Sequence, residues 1–453
     1  MRVQPRRIVK SVLTLLVIAF IILNLLIILR DGESDSSKES MLAELPKDKT
    51  DAPSQGLSSP EMDAPQNSTI KNNTLNHELV NEQNLTAILH SVYEINRQQK
   101  IFNREKLEPN FPSDPNSVVI VIQIHYRPVY LRHLVNSLAK ARGIENTLVI
   151  FSHDIFSNEL NDIAESIEAF PVMQIFYPFS MQVYPHEFPG EHPKDCPRNI
   201  NKKKAEELRC QNAAYPDRYG HYREAKYTQT KHHWFWKMQR VFDELDILKG
   251  FQGHVLLLEE DHFVSDDFLH VLRQMKQLRE TNCPQCGVLT LATYDKRPSY
   301  VPNSGRVEMS PWISARHNMG MAFNRNTWNK IKQCAKQFCE FDDYNWDWTL
   351  QYLGMTCVEG HLQVLVAKSP RVFHIGECGV HHKGKDCNPH TKVAQIELLL
   401  SNNRQYLFPQ SLSFIGHAKV AVRQPKPNGG WGDIRDHSLC LSFVKKAKNP
   451  IRR

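Results

Sequence analysis

Positions 11 to 29, SVLTLLVIAFIILNLLIIL, carry no charge, with Asn24 interrupting an otherwise apolar run. At about 1.5 Å per residue a helix of that length just spans a bilayer core of roughly 30 Å. Arg2, Arg6, Arg7 and Lys10 precede it, Asp31, Glu33 and Asp35 follow it, and no small-residue cleavage site comes after. These flanks predict a retained anchor with a short cytosolic tail and the rest of the chain across the membrane. Residues 31 to about 74 are rich in Ser, Asp, Lys, Glu and Pro, which cannot bury enough surface to order themselves, and read as a stem. From Leu85 the apolar positions Ile88, Leu89 and Val92 take helical spacing and predict a helix leading into the body.

The body opens with an α/β pattern. SVVIVIQI (117–124) is a continuous β-branched run, which predicts a strand buried on both faces. Pro128 can start a helix over VYLRHLVNSLAKA, with Leu131, Leu134, Val135 and Leu138 on one side. TLVIFSHD predicts a second strand. SNELNDIAESIEA predicts a second helix with Ser157 as candidate N-cap, and VMQIFYPF a third strand. This order implies parallel strands and right-handed crossovers, with ligands beyond the carboxyl ends of the strands, here Gln123 to Arg127 and His153 to Asp154. No G-x-G-x-x-G follows the first strand and no P-loop sequence occurs, which argues against a dinucleotide oxidoreductase or P-loop kinase.

The formal net charge of +7 comes from the ends. Four positive charges lie in the first ten residues and five in the last nine, neither segment has an acid, and the remainder sums to −2. A nucleic-acid footprint, which needs a basic face on the folded domain, is not expected. The ten cysteines all follow residue 195, and beyond a secretory membrane disulfides are the default. CPQC at 283–286 reads first as a small disulfide loop, then as zinc, and last as a redox motif. Sequons at Asn67, Asn72 and Asn84 suit the same compartment.

Chemistry concentrates where buried strands meet charge. In HVLLLEED (254–261), alternation puts Glu259 and Asp261 on one face and Glu260 on the other. Paired carboxylates at a strand end suit Mg²⁺ or Mn²⁺. His374 closes the apolar stretch LQVLVAKSPRVF, and an imidazole beside carboxylates favours Mn²⁺. Residues 221–242 read as a helix carrying Arg223, Lys226, Lys231, His232, His233, Lys237 and Arg240, a positive region suited to a diphosphate. In CEFDDYNWDWTLQYL (339–353), Asp342 or Asp343 could cap a helix. Asp347 falls between Trp346 and Trp348, where partial desolvation would suit a general base.

An anchor, a stem, a Rossmann-like half without glycine loops and an acidic triplet together resemble Golgi glycosyltransferases of the GT-A fold. QIHYRP, LVIFSHD, YPFSMQVYPHEFPG, GHYREAK, QTKHHW, LEEDH, HNMG, DDYNWDWTLQYL, FHIGECG and NGGWGDIRDH are similar to the N-acetylglucosaminyltransferase II family, from about residue 85 to 440. The resemblance implies a UDP-GlcNAc donor and Mn²⁺. It implies inverting β1,2 transfer of GlcNAc to the α1,6-linked mannose of an N-glycan core already bearing GlcNAc on its α1,3 arm.

By position, Asp261 and His374 would ligate Mn²⁺, and Gln123, Ile124, His125, Tyr126, Arg127 and Asp154 would hold the uridine end. Gln229, Thr230, Lys231, His232 and His233 would line the donor site, and Asp347 would be the base. Implied disulfides are Cys196–Cys210, Cys283–Cys286, Cys334–Cys357, Cys339–Cys440 and Cys378–Cys387. Two departures stand out: Tyr126 replaces an expected Asn, and Pro298 separates Arg297 from Ser299. The chain is accordingly divided into a cytosolic tail (1–10), a signal anchor (11–29), a lumenal stem (30–84) and a GT-A catalytic domain (85–453) of a Golgi membrane protein. A membrane-anchored lectin is the rival class; EPN at 108–110 mimics a calcium-lectin motif, but no WND follows.

Overall fold

Continuous apolar runs build the centre of a ten-stranded sheet. A computed structural model describes the backbone of residues 69–445 except 296, 377, 380, 381 and 384–387. Side chains are described from Asn84 onward, those of 378, 379, 382 and 383 excepted. The predicted anchor at 11–29, the sequon at Asn67 and the basic terminus beyond Lys445 lie outside the described residues. No helix among the described residues is long and apolar enough to cross a membrane.

Within the unit Lys71–Arg453, the strands are β1 (Ile101–Phe102), β2 (Val118–Ile124), β3 (Leu148–His153), β4 (Val172–Phe176), β5 (His254–Glu259), β6 (His262–Val264), β7 (Cys286–Thr290), β8 (Arg306–Pro311), β9 (Met321–Asn324), β10 (Gln363–Ala367), β11 (Val372–His374), β12 (Cys378–Gly379), β13 (His382–Lys383) and β14 (Ser413–His417). The large sheet has the order β1-β4-β3-β2-β5-β9-β7-β10-β8-β14. Its centre, β4-β3-β2-β5, is parallel, and β9 is antiparallel to both its neighbours. β6 and β11 form a separate antiparallel pair. The molecule is thus a mixed α/β fold around a mostly parallel sheet.

The helix expected from Leu85 is α1 (Thr69–Gln98), which runs through the drawn boundary at residue 84. α2 (Pro128–Lys140) begins at the predicted proline. α3 (Asn158–Glu165) has Ser157 at its N-cap position, though that side chain makes no capping bond.

All seven residues of β2 are buried, as the predicted double burial requires. Val119 and Val121 face a core that includes Trp234, Phe235 and Met238 of α4 (Ala225–Gln239). Val118, Ile120 and Ile122 face Leu131 and Leu134 of α2, Leu160 of α3 and Leu272 of α5 (Phe268–Asn282). Each such side chain contributes on the order of 1.5–3 kcal/mol relative to exposure. A charge at Ile120 would therefore break one whole interface.

Candidate functional site

Chain order places a crevice between β2 and β5. From β2 the chain moves outward through β3 and β4, then returns to β5 on β2's other side. At such a switch point the flanking loops diverge and leave room for a ligand beyond the carboxyl ends. Gln123 pairs with Glu259 in register at this edge, and the Glu260 N–H donates to the Gln123 carbonyl at 3.0 Å. The two segments singled out in the sequence, 123–127 and 259–261, thus meet.

The acids do not simply alternate. β5 ends at Glu259 and the chain turns at once, so the strand rule no longer governs residues 260 and 261. Glu260 was expected to point away from Asp261, but both reach Arg127. Arg127 Nε donates to Glu260 Oε1 at 2.8 Å, and Arg127 Nη1 donates to Asp261 Oδ2 at 2.7 Å. The His125 N–H donates to Glu260 Oε2 at 3.1 Å. Glu260 is fully buried, so it ties the loop after β2 to the turn after β5.

Glu259, Asp261 and His262 each bring a ligand atom within 4.8 Å of the others. His374, at the end of β11, places Nε2 3.2 Å from Asp261 Oδ2. Burial would raise the Asp261 carboxyl, but the His374 hydrogen bond and the Arg127 charge outweigh it and hold the acid well below the usual range. Burial raises Glu259, and the Asp261 charge adds to that.

The donor set fits a divalent cation. Asp261 Oδ1 is buried without a hydrogen-bond partner. Gly376 keeps the gap open, because a Cβ there would lie 2.5 Å from Asp261 Oδ2 and 2.8 Å from His374 Nε2. His262 is less suited to ligation. Burial pulls its ring to about 4, so it is neutral, and its Nδ1 already accepts the Glu259 N–H at 3.1 Å. The free nitrogen then carries the proton. His374 has the opposite balance. Burial lowers it, but the bond to Asp261 wins and raises it, so an ion would displace its proton.

The donor-binding candidates divide into two groups. His125 Nδ1 makes a short bond with Asp154 Oδ2, and Gln229 Nε2 donates to the same oxygen at 3.1 Å. His233 sits behind them, with Nε2 2.8 Å from Ser152 Oγ. Ile124 is buried in the sheet, Thr230 is half-buried on α4, and Tyr126 is exposed with its hydroxyl on Glu159 at 3.4 Å. Lys231 and His232 point elsewhere. Lys231 Nζ donates to the carbonyls of Phe341 and Asp343 at 3.1 and 2.7 Å, and His232 Nε2 lies 3.0 Å from Asp436 Oδ1.

α4 therefore does not offer the positive face expected of residues 221–242. Arg223, just before it, is buried on Asp436 at 2.8 Å, and Lys237 is buried on Gln123 Oε1 at 2.7 Å. The helix is buried on most of its surface, so these charges need internal partners rather than solvent.

Asp347 lies in the first turn of α8 (Trp346–Thr356), whose N-cap is Asn345 rather than Asp342 or Asp343. Asp343 instead accepts the Asn345 N–H at 2.9 Å from outside the helix. The two tryptophans do not sandwich Asp347, because helix neighbours in sequence point about 100° apart. Trp346 stacks on Trp234 at 4.8 Å in the core, and Trp348 Nε1 donates to the Lys426 carbonyl at 2.8 Å. Asp347 Oδ2 instead accepts Ser314 Oγ, from α6 (Ser314–His317), at 2.8 Å and Asn318 Nδ2 at 2.9 Å. Tyr294 donates to Asn318 Oδ1 at 2.7 Å. Partial burial raises the Tyr294 phenol above its ordinary range, and the negative charges of Glu259, Asp347 and Asp261 add to that.

Residue-level reading missed Ser314, Asn318 and Tyr294, and gave Arg127 a different contact. HNMG (317–320) was the one signal near them, and nothing in its spacing reveals a bond to residue 347. Four disulfides form as implied: Cys196–Cys210, Cys283–Cys286, Cys334–Cys357 and Cys339–Cys440. For the fifth, Cys378–Cys387, the Cys378 side chain and all of Cys387 lie outside what the structure describes. Asn84 is exposed on α1, where Asn72 also lies, and Arg297 is exposed.

Residues 89–440 match the family model of N-acetylglucosaminyltransferase II (MGAT2). A pig protein named alpha-1,6-mannosyl-glycoprotein 2-beta-N-acetylglucosaminyltransferase is 48% identical over 361 residues, covering 80% of each chain. A rat protein of the same name is 49% identical over 363 residues, covering 80% of this chain and 81% of the relative. A solved structure of S. aureus TarS 1-349 with UDP-GlcNAc has 10% identity and a TM-score of 0.31, over 72% of this chain and 71% of that one; so shallow a likeness supports no further step. A family match across nearly all of the folded body and close relatives over four-fifths of the sequence lead to one conclusion: the chain belongs to the N-acetylglucosaminyltransferase II (MGAT2) family.

Proposed function

We propose that this chain is an inverting, Mn²⁺-dependent glycosyltransferase of the GT-A fold. It transfers GlcNAc from UDP-GlcNAc in β1,2 linkage to the α1,6-linked mannose of an N-glycan core whose α1,3 arm already bears GlcNAc. It acts as a type II protein of the Golgi membrane with residues 85–453 in the lumen. The observation that carries the chemistry is the cluster at the carboxyl ends of β2 and β5, where Glu259 and Asp261 bring ligand atoms together and His374 Nε2 lies 3.2 Å from Asp261 Oδ2. The relatives' printed names support the linkage and the acceptor.

Asp261 and His374 would hold the cation with Glu259 nearby, which supplies charge neutralisation at the departing diphosphate. His125, Asp154 and Gln229 form the hydrogen-bonded end suited to the uridine. Asp347 takes the proton of the mannose 2-hydroxyl as that oxygen bonds to the anomeric carbon. The bond from that carbon to the phosphate oxygen breaks on the opposite face, and its electron pair leaves with UDP. Attack and departure on opposite faces invert the configuration in one step, through a transition state of oxocarbenium character.

The test is turnover of UDP-GlcNAc by the full-length chain with Mn²⁺ and a panel of defined glycans. UDP release is expected only with the GlcNAc-bearing N-glycan core. Asp347→Asn should still bind donor while turnover falls on the order of 10²- to 10⁴-fold. Near-normal turnover in that variant, or glycan binding without UDP release in the wild type, overturns the reading.

A further inference from the structure

The Asp347 carboxylate is held by three donors. Oδ2 accepts Ser314 Oγ and Asn318 Nδ2, and Oδ1 accepts the Trp348 N–H at 2.8 Å. A carboxylate can only accept, so Asn318 must present its NH₂ to Asp347 and its carbonyl oxygen to whatever lies on the other side. On that side is the Tyr294 hydroxyl, which therefore donates. Every proton in the chain Tyr294, Asn318, Asp347 is assigned by the acceptor at its end.

An amide has nearly the same shape in its two flipped orientations. Reversal of Asn318 would set its carbonyl oxygen against Asp347 Oδ2, acceptor against acceptor, and take one of that oxygen's two donors away. Asp347 thus sets which way the amide faces, and the phenol, held on the Tyr294 ring, fixes the position of the carbonyl end at 2.7 Å. A water molecule in its place could make the same bond but is not tethered to the fold, so it would not fix where the amide sits. The Tyr294 residue as a whole is 49% exposed and belongs to no core cluster of the described residues, so removing its hydroxyl is not expected to unfold the domain.

We propose that Tyr294 is a positioning residue for the reaction, acting through the Asn318 amide to hold the Asp347 carboxylate where it accepts the acceptor's proton. The proposal rests on Asp347 being the base. Tyr294 need not touch either sugar in this role. Its effect belongs to the chemical step rather than to donor affinity.

The experiment compares Tyr294→Phe, Asn318→Ala and the double variant in the full-length protein with Mn²⁺, UDP-GlcNAc and the glycan core. It reads kcat, donor KM and Tm. Tyr294→Phe is expected to lower kcat roughly five- to tenfold, the scale of one hydrogen bond, with donor KM within about twofold and Tm unchanged. Asn318→Ala should lower kcat at least as much. Adding Tyr294→Phe to it should cost less than about twofold more, because the path is already cut. Wild-type kcat in Tyr294→Phe, a loss that falls on KM, or additive losses in the pair overturn the relay. Asp347→Asn measured alongside separates the two failures. If it is inactive, only the relay has failed; if it turns over normally, the base assignment falls and the relay with it.

Discussion

His125 is the residue from which a pH response can be argued. Burial pulls its imidazole down, but the Asp154 carboxylate outweighs this and holds it up at about 9, against an ordinary value near 6.5. A raised folded value means the pair stabilises fully below about pH 6.5 and is lost as pH rises through about 9. Buried Lys237 is shifted down by burial and works in the opposite direction over higher pH, so the raw melting curve mixes terms. The difference between wild type and His125→Gln isolates the pair. We expect the gap in Tm to be widest below pH 6.5 and to close by about pH 9, read by thermal melts at constant ionic strength. A gap that does not vary with pH would remove the charged His125–Asp154 pair. Asp347 itself was singled out in the sequence, but its surroundings could not be read from its neighbours, because its partners Ser314 and Asn318 are 33 and 29 positions away.

At the scale of elements, legibility followed burial symmetry. β2, β3 and β4 were readable because both their faces are buried, which leaves an unbroken apolar run in the sequence. β14 was not, since its burial alternates between half-buried and exposed and its pairing to β8 depends on residues about a hundred positions away. α4 was seen as a helix but misjudged as a basic face. Lys231 and Arg223 find most of their acceptors in α9 (Ile434–Ser442), the residues before α8, and the turn at Pro189 and Gly190. A lone sequence cannot show those partners. α9 is therefore a clamp on α4, and Cys339–Cys440 fastens it to α7 (Ala335–Glu340) across a loop of 101 positions. Converting both cysteines to serine should lower unfolding free energy by about 2–5 kcal/mol. Denaturant unfolding checks this, and an unchanged midpoint would show that α9 is held by packing alone.

At the scale of the whole molecule, the sheet brings together three loops that have little reason to meet on their own. The loop after β2 carries Arg127, the turn after β5 carries Asp261, and the end of β11 carries His374. They are joined mainly by charge: Arg127 and His374 both lie on Asp261 Oδ2. On the proposed function, a cation held by Asp261 would replace these contacts, so the ion alone would exchange one set of interactions for another, and the phosphates of UDP would bring further negative charge to the cation and Arg127. The proposed reading thus predicts a non-additive thermal response. Mn²⁺ alone and UDP alone should each raise Tm little. Together at about one hundred times their joint dissociation constant they should stabilise by roughly 2.7 kcal/mol, which is several degrees for a body of this size. Asp261→Asn keeps the shape of the side chain but removes the charge, and should abolish the joint shift while leaving the unliganded protein folded. Gly376→Ala should do the same by sterics, since its Cβ would occupy the space between Asp261 and His374. Equal, independent shifts from Mn²⁺ and UDP in the wild type, or a full joint shift in Asp261→Asn, would place the cation elsewhere in the fold.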